Sequence, residues 1–238
     1  MSDRFFFDDT LSSGSHVRPK AGDSVELEGP EAHHLSSVRR FKEGDFVTLF
    51  NGDGNEYPAR IVDVEKKRIR LQIASVERPE RELSFRLHIA SALPKGDRGD
   101  FLIEKLTELG ATDFTPLITE RSVVKADDAK AEKIRRAVIE SSKQCGRNVL
   151  MRVHPPVRWL EWCVKQPGLR LLALPTVIVE LAAGGEDSIV AIGPEGGFSE
   201  SEIQAALNSG WVGFSLGPRV LRTETAGIVA AARLGRSN

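Results

Sequence analysis

Near residue 80 the chain changes rhythm, and that change restricts the possible folds more than any other feature. From Ser24 to Glu77, stretches such as "SVELEG" and "DFVTLFNGDGNEYPARIVDVEKKRIRLQIASVE" alternate apolar and polar residues between Gly, Asn and Asp turns. That is the pattern of half-buried antiparallel strands. From Phe85 onward, strand-like runs ("FRLHIASAL", "DFTPLIT", "LRLLALP", "SIVAIGPE", "WVGFSLGP") alternate with helical ones. The helical runs are "GDRGDFLIEKLTELG", "AKAEKIRRAVIESSKQCGR", a Trp-bearing stretch over Trp159–Val164, "SESEIQAALNSG" and "TETAGIVAAARLG". Strands separated by helices run parallel, because each helix returns the chain to the edge from which the last strand started. The two rhythms imply a small β-barrel over 1–76 followed by an α/β domain over 77–238. The break falls in the polar run "ERPERE", Glu77–Glu82, which contains Pro79 and no apolar anchor. Within the barrel, "PEAHHLSSVRR" is expected to form a helix opening on Pro30, with Leu35 and Val38 on one side.

A formal net charge of -1 excludes a protein that coats nucleic acid by bulk attraction, so a nucleic-acid partner requires a local basic patch. Residues 75–160 carry 16 Lys and Arg against 13 Asp and Glu, whereas the segments on either side are net acidic; the surplus sits in the middle. No uninterrupted apolar run approaches the roughly 20 residues needed to span a bilayer, and the opening MSDRFFFDDT lacks the basic start and apolar stretch of a secretory leader. A cytoplasmic protein with no membrane contact is expected. Cys145 and Cys163 form no CxxC pair and have no nearby His at ligand spacing, so they read as buried thiols, with no disulfide framework and no metal.

Two loops share one local grammar. "IGPEGGFSESE" (Ile192–Glu202) and "LGPRVLRTETA" (Leu216–Ala226) each follow an apolar strand, turn on Gly-Pro and enter a helix whose first turn offers unpaired N–H groups. Singly, such turns merely reverse a chain. Together, at the carboxyl ends of parallel strands, they make a pocket. Neither loop has the GxxxxGK[ST] of a phosphate loop or the GxGxxG of a dinucleotide fold. Main-chain groups around small residues can instead recognise an adenine edge and a ribose, with Leu174, Ile192, Leu216 and Leu221 enclosing the base.

Those two loops, with "RFF" (Arg4–Phe6), "HHLSSVRRFKEGD" (His33–Asp45), "KGDRGDFLIEKLTELGA" (Lys95–Ala111), "ERSVV" (Glu120–Val124) and "ESSKQCGR" (Glu140–Arg147), occur in the order of one family. Over essentially its whole length the chain resembles the bacterial 16S ribosomal RNA uracil-N3 methyltransferases of the SPOUT superfamily. It departs from them at Arg39, where an apolar residue is usual, and at Met151, where proline is usual. The resemblance places both departures at the RNA contact rather than the cofactor loops.

The resemblance implies a PUA-like β-barrel before an α/β domain whose C-terminal part forms a deep trefoil knot. It implies S-adenosyl-L-methionine bound in a bent form in that knot, a homodimer joined beside it, and methylation of N3 of uridine U1498 in 16S rRNA within the small ribosomal subunit. Cofactor contacts are then carried by Leu174, Ile192, Gly193, Pro194, Glu195, Gly196 and Gly197 in the first loop region, and by Leu216, Gly217, Leu221, Arg222, Thr223 and Thr225 in the second. Arg222 is the candidate donor to the uracil oxygens as the imide proton leaves; the alternative is an ion pair with Glu195 or Glu224. Glu224 could accept that proton, but it also stands in the first turn of a helix that Thr223 could cap, where a carboxylate is stabilised. RNA contacts fall to Arg4, His34, Arg40, Lys95, Lys105, Arg121, Arg135, Gln144 and Arg147, with solvated helix faces as the alternative for Lys105 and Arg135. One of His33 and His34 is expected to pack between barrel and helix, with His34 the functional one. Two rival classes remain: a non-catalytic RNA-binding module, against which two intact loops argue, and a metabolic α/β enzyme with a phosphate-bearing ligand, against which the missing loop lysine argues.

Overall fold

Alternation in the first part of the chain becomes a sheet with one buried face. The structure is a computed structural model that describes residues 3–8, 18–65, 67–123, 128–175, 177 and 185–235; Val124, the end of the "ERSVV" stretch, lies outside them. Two compact units result, the first made of Met1–Glu82 with Ser142–Leu150 and the second of Leu83–Ser141 with Met151–Asn238.

In the first unit, β1 (Arg4–Phe6), β2 (Ser24–Glu28), β3 (Phe46–Phe50), β4 (Tyr57–Val64) and β5 (Arg68–Ile73) form one sheet in the order β1-β3-β4-β5-β2. All neighbours are antiparallel except β1, which runs parallel to β3 with Phe5 opposite Leu49. Every second residue of β5 is buried, and Phe5, Leu49, Tyr57, Ile61, Ile69 and Leu71 form the core beneath it. Among the described residues β1 and β2 do not pair, so the sheet stays open where a closed barrel was expected.

The insertion begins as expected, with α1 (Gly29–His33) carrying Pro30 in its first turn. It then widens into one π-helical turn, His34–Val38, closed by the Arg39 N–H donating to the His34 carbonyl at 2.9 Å. The wider turn shifts the face: Leu35 is fully buried but Val38 is 61% exposed, contrary to the expected shared side. His33 and His34 are both exposed, and the His34 ring meets Phe5 of β1 edge-on at 5.9 Å. Just beyond, Arg40 is the one non-glycine residue among those described with a left-handed backbone, at φ 58°.

The second unit is built on β6 (Leu87–Ser91), α2 (Asp97–Glu108), β7 (Asp113–Ile118), α3 (Asp128–Cys145, its last turn grouped with the first unit), β8 (Arg152–Val153) and β9 (Val157–Arg158). It continues through α4 (Trp159–Cys163), β10 (Leu169–Ala173), β11 (Ser188–Ile192), α5 (Glu200–Asn208), β12 (Val212–Phe214) and α6 (Thr223–Leu234). The strands are parallel throughout, in the order β12-β10-β11-β6-β7-β8, with β9 also on β7. The central β6 and β11 are buried at every position, which is why they read as unbroken apolar runs. Gly110, at φ 84°, ends α2 as a left-handed cap. Trp159, Leu172, Ala191, Phe198 and Trp211 centre the core beside α4 and α5.

Met151 is buried, so this departure from the family pattern bears on packing rather than on RNA contact; Arg39 pairs with Asp3. Cys163 is buried and its thiol is pushed up by that burial, whereas Cys145 is half-buried. Among the described residues no helix is long and apolar enough to cross a membrane.

At the amino ends of the strands, polar side chains are paired inside the fold. Asp113, first residue of β7, accepts bonds from Arg86 Nε and Nη2 at 2.8 and 2.9 Å, from Thr112 Oγ1 at 2.9 Å, and meets His154 Nε2 at 2.7 Å. Burial raises its pKa, but those bonds outweigh it and hold the carboxyl well below the usual carboxylate range. Beside it, His88 contacts Thr115 Oγ1 at 2.8 Å and stacks on His154 at 5.3 Å; burial pushes its pKa down to about 4.

Candidate functional site

At the carboxyl ends of β10, β11 and β12 the two Gly-Pro loops enclose one cavity of about 330 Å³. Residues 192–198 form one wall, and Leu216, Gly217 and Arg219–Leu221 the other. Ala173–Pro175 add the end of β10, Ile203 comes from α5, and Thr223 and Ala226 come from α6. The sequence-named residues Leu174, Ile192, Gly193, Pro194, Glu195, Gly196, Gly197, Leu216, Gly217, Leu221 and Thr223 are therefore brought together. Arg222 and Thr225 lie outside the lining and are exposed. Phe198, Ile203, Arg219, Val220 and Ala226 also line the cavity; four of them lie within the quoted loops, and Ile203 is signalled only by helical spacing from the first.

The glycines of the first loop are required for different reasons. At Gly193 an added Cβ would lie 3.1 Å from the Phe198 ring, and at Gly196 it would lie 3.3 Å from Arg121 Cδ, so both positions are closed by neighbouring protein. Gly197 has φ 69°, a Cβ there would meet nothing within 4 Å, and its N–H closes a turn on the Pro194 carbonyl at 2.8 Å. In the second loop Gly217 is likewise free of neighbours but left-handed, at φ 124°.

Thr223 Oγ1 donates to the Gly193 carbonyl at 3.2 Å, tying the second loop to the first. It is the first residue of α6 rather than its cap; Arg222 holds the N-cap position without a side-chain bond. The ion pairs considered for Arg222 are made by another residue: Arg98 of α2 reaches Glu195 at 3.2 Å and Glu224 at 3.9 Å. Among the described residues Arg222 makes no ion pair. Glu224 is buried in the first turn of α6, where the helix dipole favours a carboxylate, and its Oε2 has no hydrogen-bond partner. Arg98 lies in the quoted Lys95–Ala111 stretch, but no local pattern there signals its reach to the two glutamates.

The nine residues proposed for RNA divide by unit: Arg4, His34, Arg40, Gln144 and Arg147 on the first, Lys95, Lys105, Arg121 and Arg135 on the second. Two of them are spent internally. Arg4 is paired with Glu56, donates to Asn148 Oδ1 at 2.6 Å and lies over the Phe50 ring at 4.9 Å. Arg147, its side chain 5% exposed, reaches Glu82 Oε2 from Nη2 at 2.6 Å and from Nε at 3.1 Å. Both guanidiniums are thus largely enclosed by partners within the first unit. Lys105 pairs along its own helix with Glu104 and Glu108, both at 2.7 Å. His34, Arg40, Lys95, Arg135 and Gln144 are exposed, and Arg121 donates to the Gly196 carbonyl at 2.7 Å.

Residues 81–235 match the profile of a family described as an RNA methyltransferase domain, and residues 27–74 match that of an RNA methyltransferase PUA domain. Ribosomal RNA small subunit methyltransferase E of Bacillus subtilis is 35% identical over 227 residues, covering 87% of this chain and 88% of that protein. The crystal structure of ribosomal RNA small subunit methyltransferase E from Neisseria gonorrhoeae, bound to S-adenosyl methionine, superposes with a TM-score of 0.88 at 30% identity, covering 98% of this chain and 96% of that one. A Legionella pneumophila methyltransferase in complex with bound SAM gives a TM-score of 0.87 at 36% identity, with the same coverage. With the family profile spanning most of the second unit and the PUA profile most of the first, this chain belongs to the RNA methyltransferase family.

Proposed function

We propose that the protein is an S-adenosyl-L-methionine-dependent methyltransferase acting on N3 of a uridine, U1498 by resemblance, in 16S ribosomal RNA. The observation that carries this is the single cavity in which both Gly-Pro loops meet. Its volume of about 330 Å³ is that of a small-ligand site, and its walls are apolar side chains interrupted by main-chain edges, which suits an adenosyl group. Leu174, Ile192, Leu216 and Leu221 would enclose the base, with Gly193, Gly197, Gly217 and Thr223 presenting backbone and hydroxyl.

The bound cofactor supplies a methyl group already activated as a sulfonium. What remains for the chain is alignment and exclusion of water, and alignment alone is worth about 7–11 kcal/mol. Uracil N3 becomes nucleophilic as its imide proton leaves, with charge growing on the flanking oxygens. Arg222, exposed and without an ion pair among the described residues, acts there as donor, while Glu224 serves the helix start and Arg98 rather than proton transfer. Exposed Arg40, Lys95 and Arg135, with His34 and Gln144, carry the RNA contact, and the target base is turned out of its stack to reach the cavity.

The finer architecture belongs to the same proposal: a domain boundary between residues 76 and 77, a SPOUT-type trefoil knot in the C-terminal part, a homodimer, a cytoplasmic location and a small-subunit substrate. The insertion of β10 between β11 and β12 is compatible with a knotted path. Primer extension on 16S rRNA tests the function, because a methyl on N3 blocks the pairing edge and stops the copying enzyme. RNA from cells lacking the protein should lose one stop, and purified protein with S-adenosylmethionine and small subunits should restore it. Unchanged stops would refute the assignment.

A further inference from the structure

We infer that Arg121 is a positioning residue for the cofactor loop rather than an RNA contact; this deepens the methyltransferase reading and rests on it. Thr119–Ser122, the turn after β7, is locked on itself: the Thr119 N–H donates to Ser122 Oγ at 2.9 Å, and the Ser122 N–H to the Thr119 carbonyl at 3.1 Å. From this platform Arg121 Nη1 donates to the Gly196 carbonyl at 2.7 Å. Its aliphatic stem occupies the volume a side chain at Gly196 would need, with Cδ at 3.3 Å and Cβ at 3.4 Å from an added Cβ. The same turn grips the far side of the loop. The Glu120 N–H donates to Glu202 Oε1 at 2.9 Å, and the other oxygen of that buried carboxylate accepts the Ser199 N–H at 2.9 Å, at the start of α5.

The loop from Gly193 to Ser199 is thus held at its middle and at its far end by one turn, through a charge-assisted bond at Gly196 and a shared carboxylate at Ser199. Gly196 needs no side chain because Arg121 fills its place. The carbonyl Arg121 holds belongs to a residue of the cavity wall, so releasing it lets that wall relax and forfeits pre-organisation.

Arg121→Met keeps the stem against Gly196 and removes the donor; Arg121→Lys restores one donor. Amide exchange at Gly197 in the ligand-free protein should quicken in the Met variant and return towards wild type in the Lys variant. S-adenosylhomocysteine affinity by calorimetry should fall about tenfold in the Met variant. KM for the methyl donor should rise while kcat at saturation holds, and the salt slope of RNA binding should stay unchanged. Unaltered Gly197 exchange and cofactor affinity overturn the inference, as does a reduced salt slope with cofactor affinity intact. A wild-type protein that binds no S-adenosylhomocysteine, with exchange still quickened by Arg121→Met, would sink the methyltransferase reading and leave the positioning role standing.

Discussion

The two ends of the parallel sheet solve opposite problems. At the amino ends Asp113 collects Arg86, Thr112 and His154, and His88 lies neutral and buried beside them, so polar chemistry is used to close the fold. At the carboxyl ends the chain does the reverse: two glycine loops leave a cavity, Val220 stands 82% exposed, and Arg222 is left without an ion pair among the described residues. Parallel sheets favour this division, because strand ends at one edge feed tight returns while the other edge gathers the loops that receive ligands. The two ends should therefore fail differently when perturbed.

The largest effect expected is on acidification, and it belongs to the amino end. His88 has its folded pKa at about 4 against 6.5 in the free side chain, because burial penalises the charged ring. A group depressed in this way lets the unfolded chain take up a proton first, so stability should fall as pH drops from about 6.5 towards about 4. The full contribution is on the order of 3 kcal/mol. Asp113, also depressed, adds its own loss only at lower pH, as its folded form is finally protonated. Urea unfolding at pH 7 and pH 4.5 measures this, and His88→Gln, which keeps an amide near Thr115, should flatten the difference. An equal slope in the variant would assign the acid sensitivity elsewhere.

Why the sequence reveals one end better than the other follows from the range of the interactions. The cavity was legible because its walls are contiguous: Ile192–Gly197 and Leu216–Leu221 are each a single stretch, and a local turn signal marks them. The strand-helix alternation was legible for the same reason, since β6 and β11 are buried at every position and show as unbroken apolar runs. What sequence reading missed depends on distant partners. The motif match that contains Arg4 gives no sign of its partners Glu56 and Asn148, which are 52 and 144 residues away. Arg98 takes the place considered for Arg222 because the fold brings α2 to Glu195, 97 residues on. The π-helical turn that exposes Val38 and the parallel pairing of three-residue β1 leave no periodic trace that a window of ten residues could detect.

Within the carboxyl end, the two loops themselves differ, and a pair of glycine substitutions sharpens that. Gly193→Ala should cost about 1–3 kcal/mol by overpacking, because its Cβ would press on the Phe198 ring, itself stacked on Trp159 at 4.9 Å. Gly217→Ala should cost a similar or smaller amount, about 1–2 kcal/mol, through its own backbone at φ 124°, where no neighbour is involved. The distinguishing measurement is a second-site change: Phe198→Leu should recover part of the loss at Gly193 and none at Gly217. Equal coupling in both double mutants would show that the loops are constrained alike after all.

The smallest effect tests the bond that joins the loops. Thr223→Val is close to isosteric and removes the donor to the Gly193 carbonyl, so it should cost about 0.5–1.5 kcal/mol of stability. The helix itself should not suffer, because Thr223 is not the cap of α6 and Arg222 at the N-cap makes no side-chain bond. A capping role would instead expose the first turn of α6 to faster amide exchange in the valine variant. A bridging role predicts that exchange quickens in the first loop around Gly193 and Gly197 while the first turn of α6 stays protected. Because the donor acts across two cavity walls, S-adenosylhomocysteine affinity should fall with it, by a few-fold, in proportion to the lost tie rather than to any change in the fold.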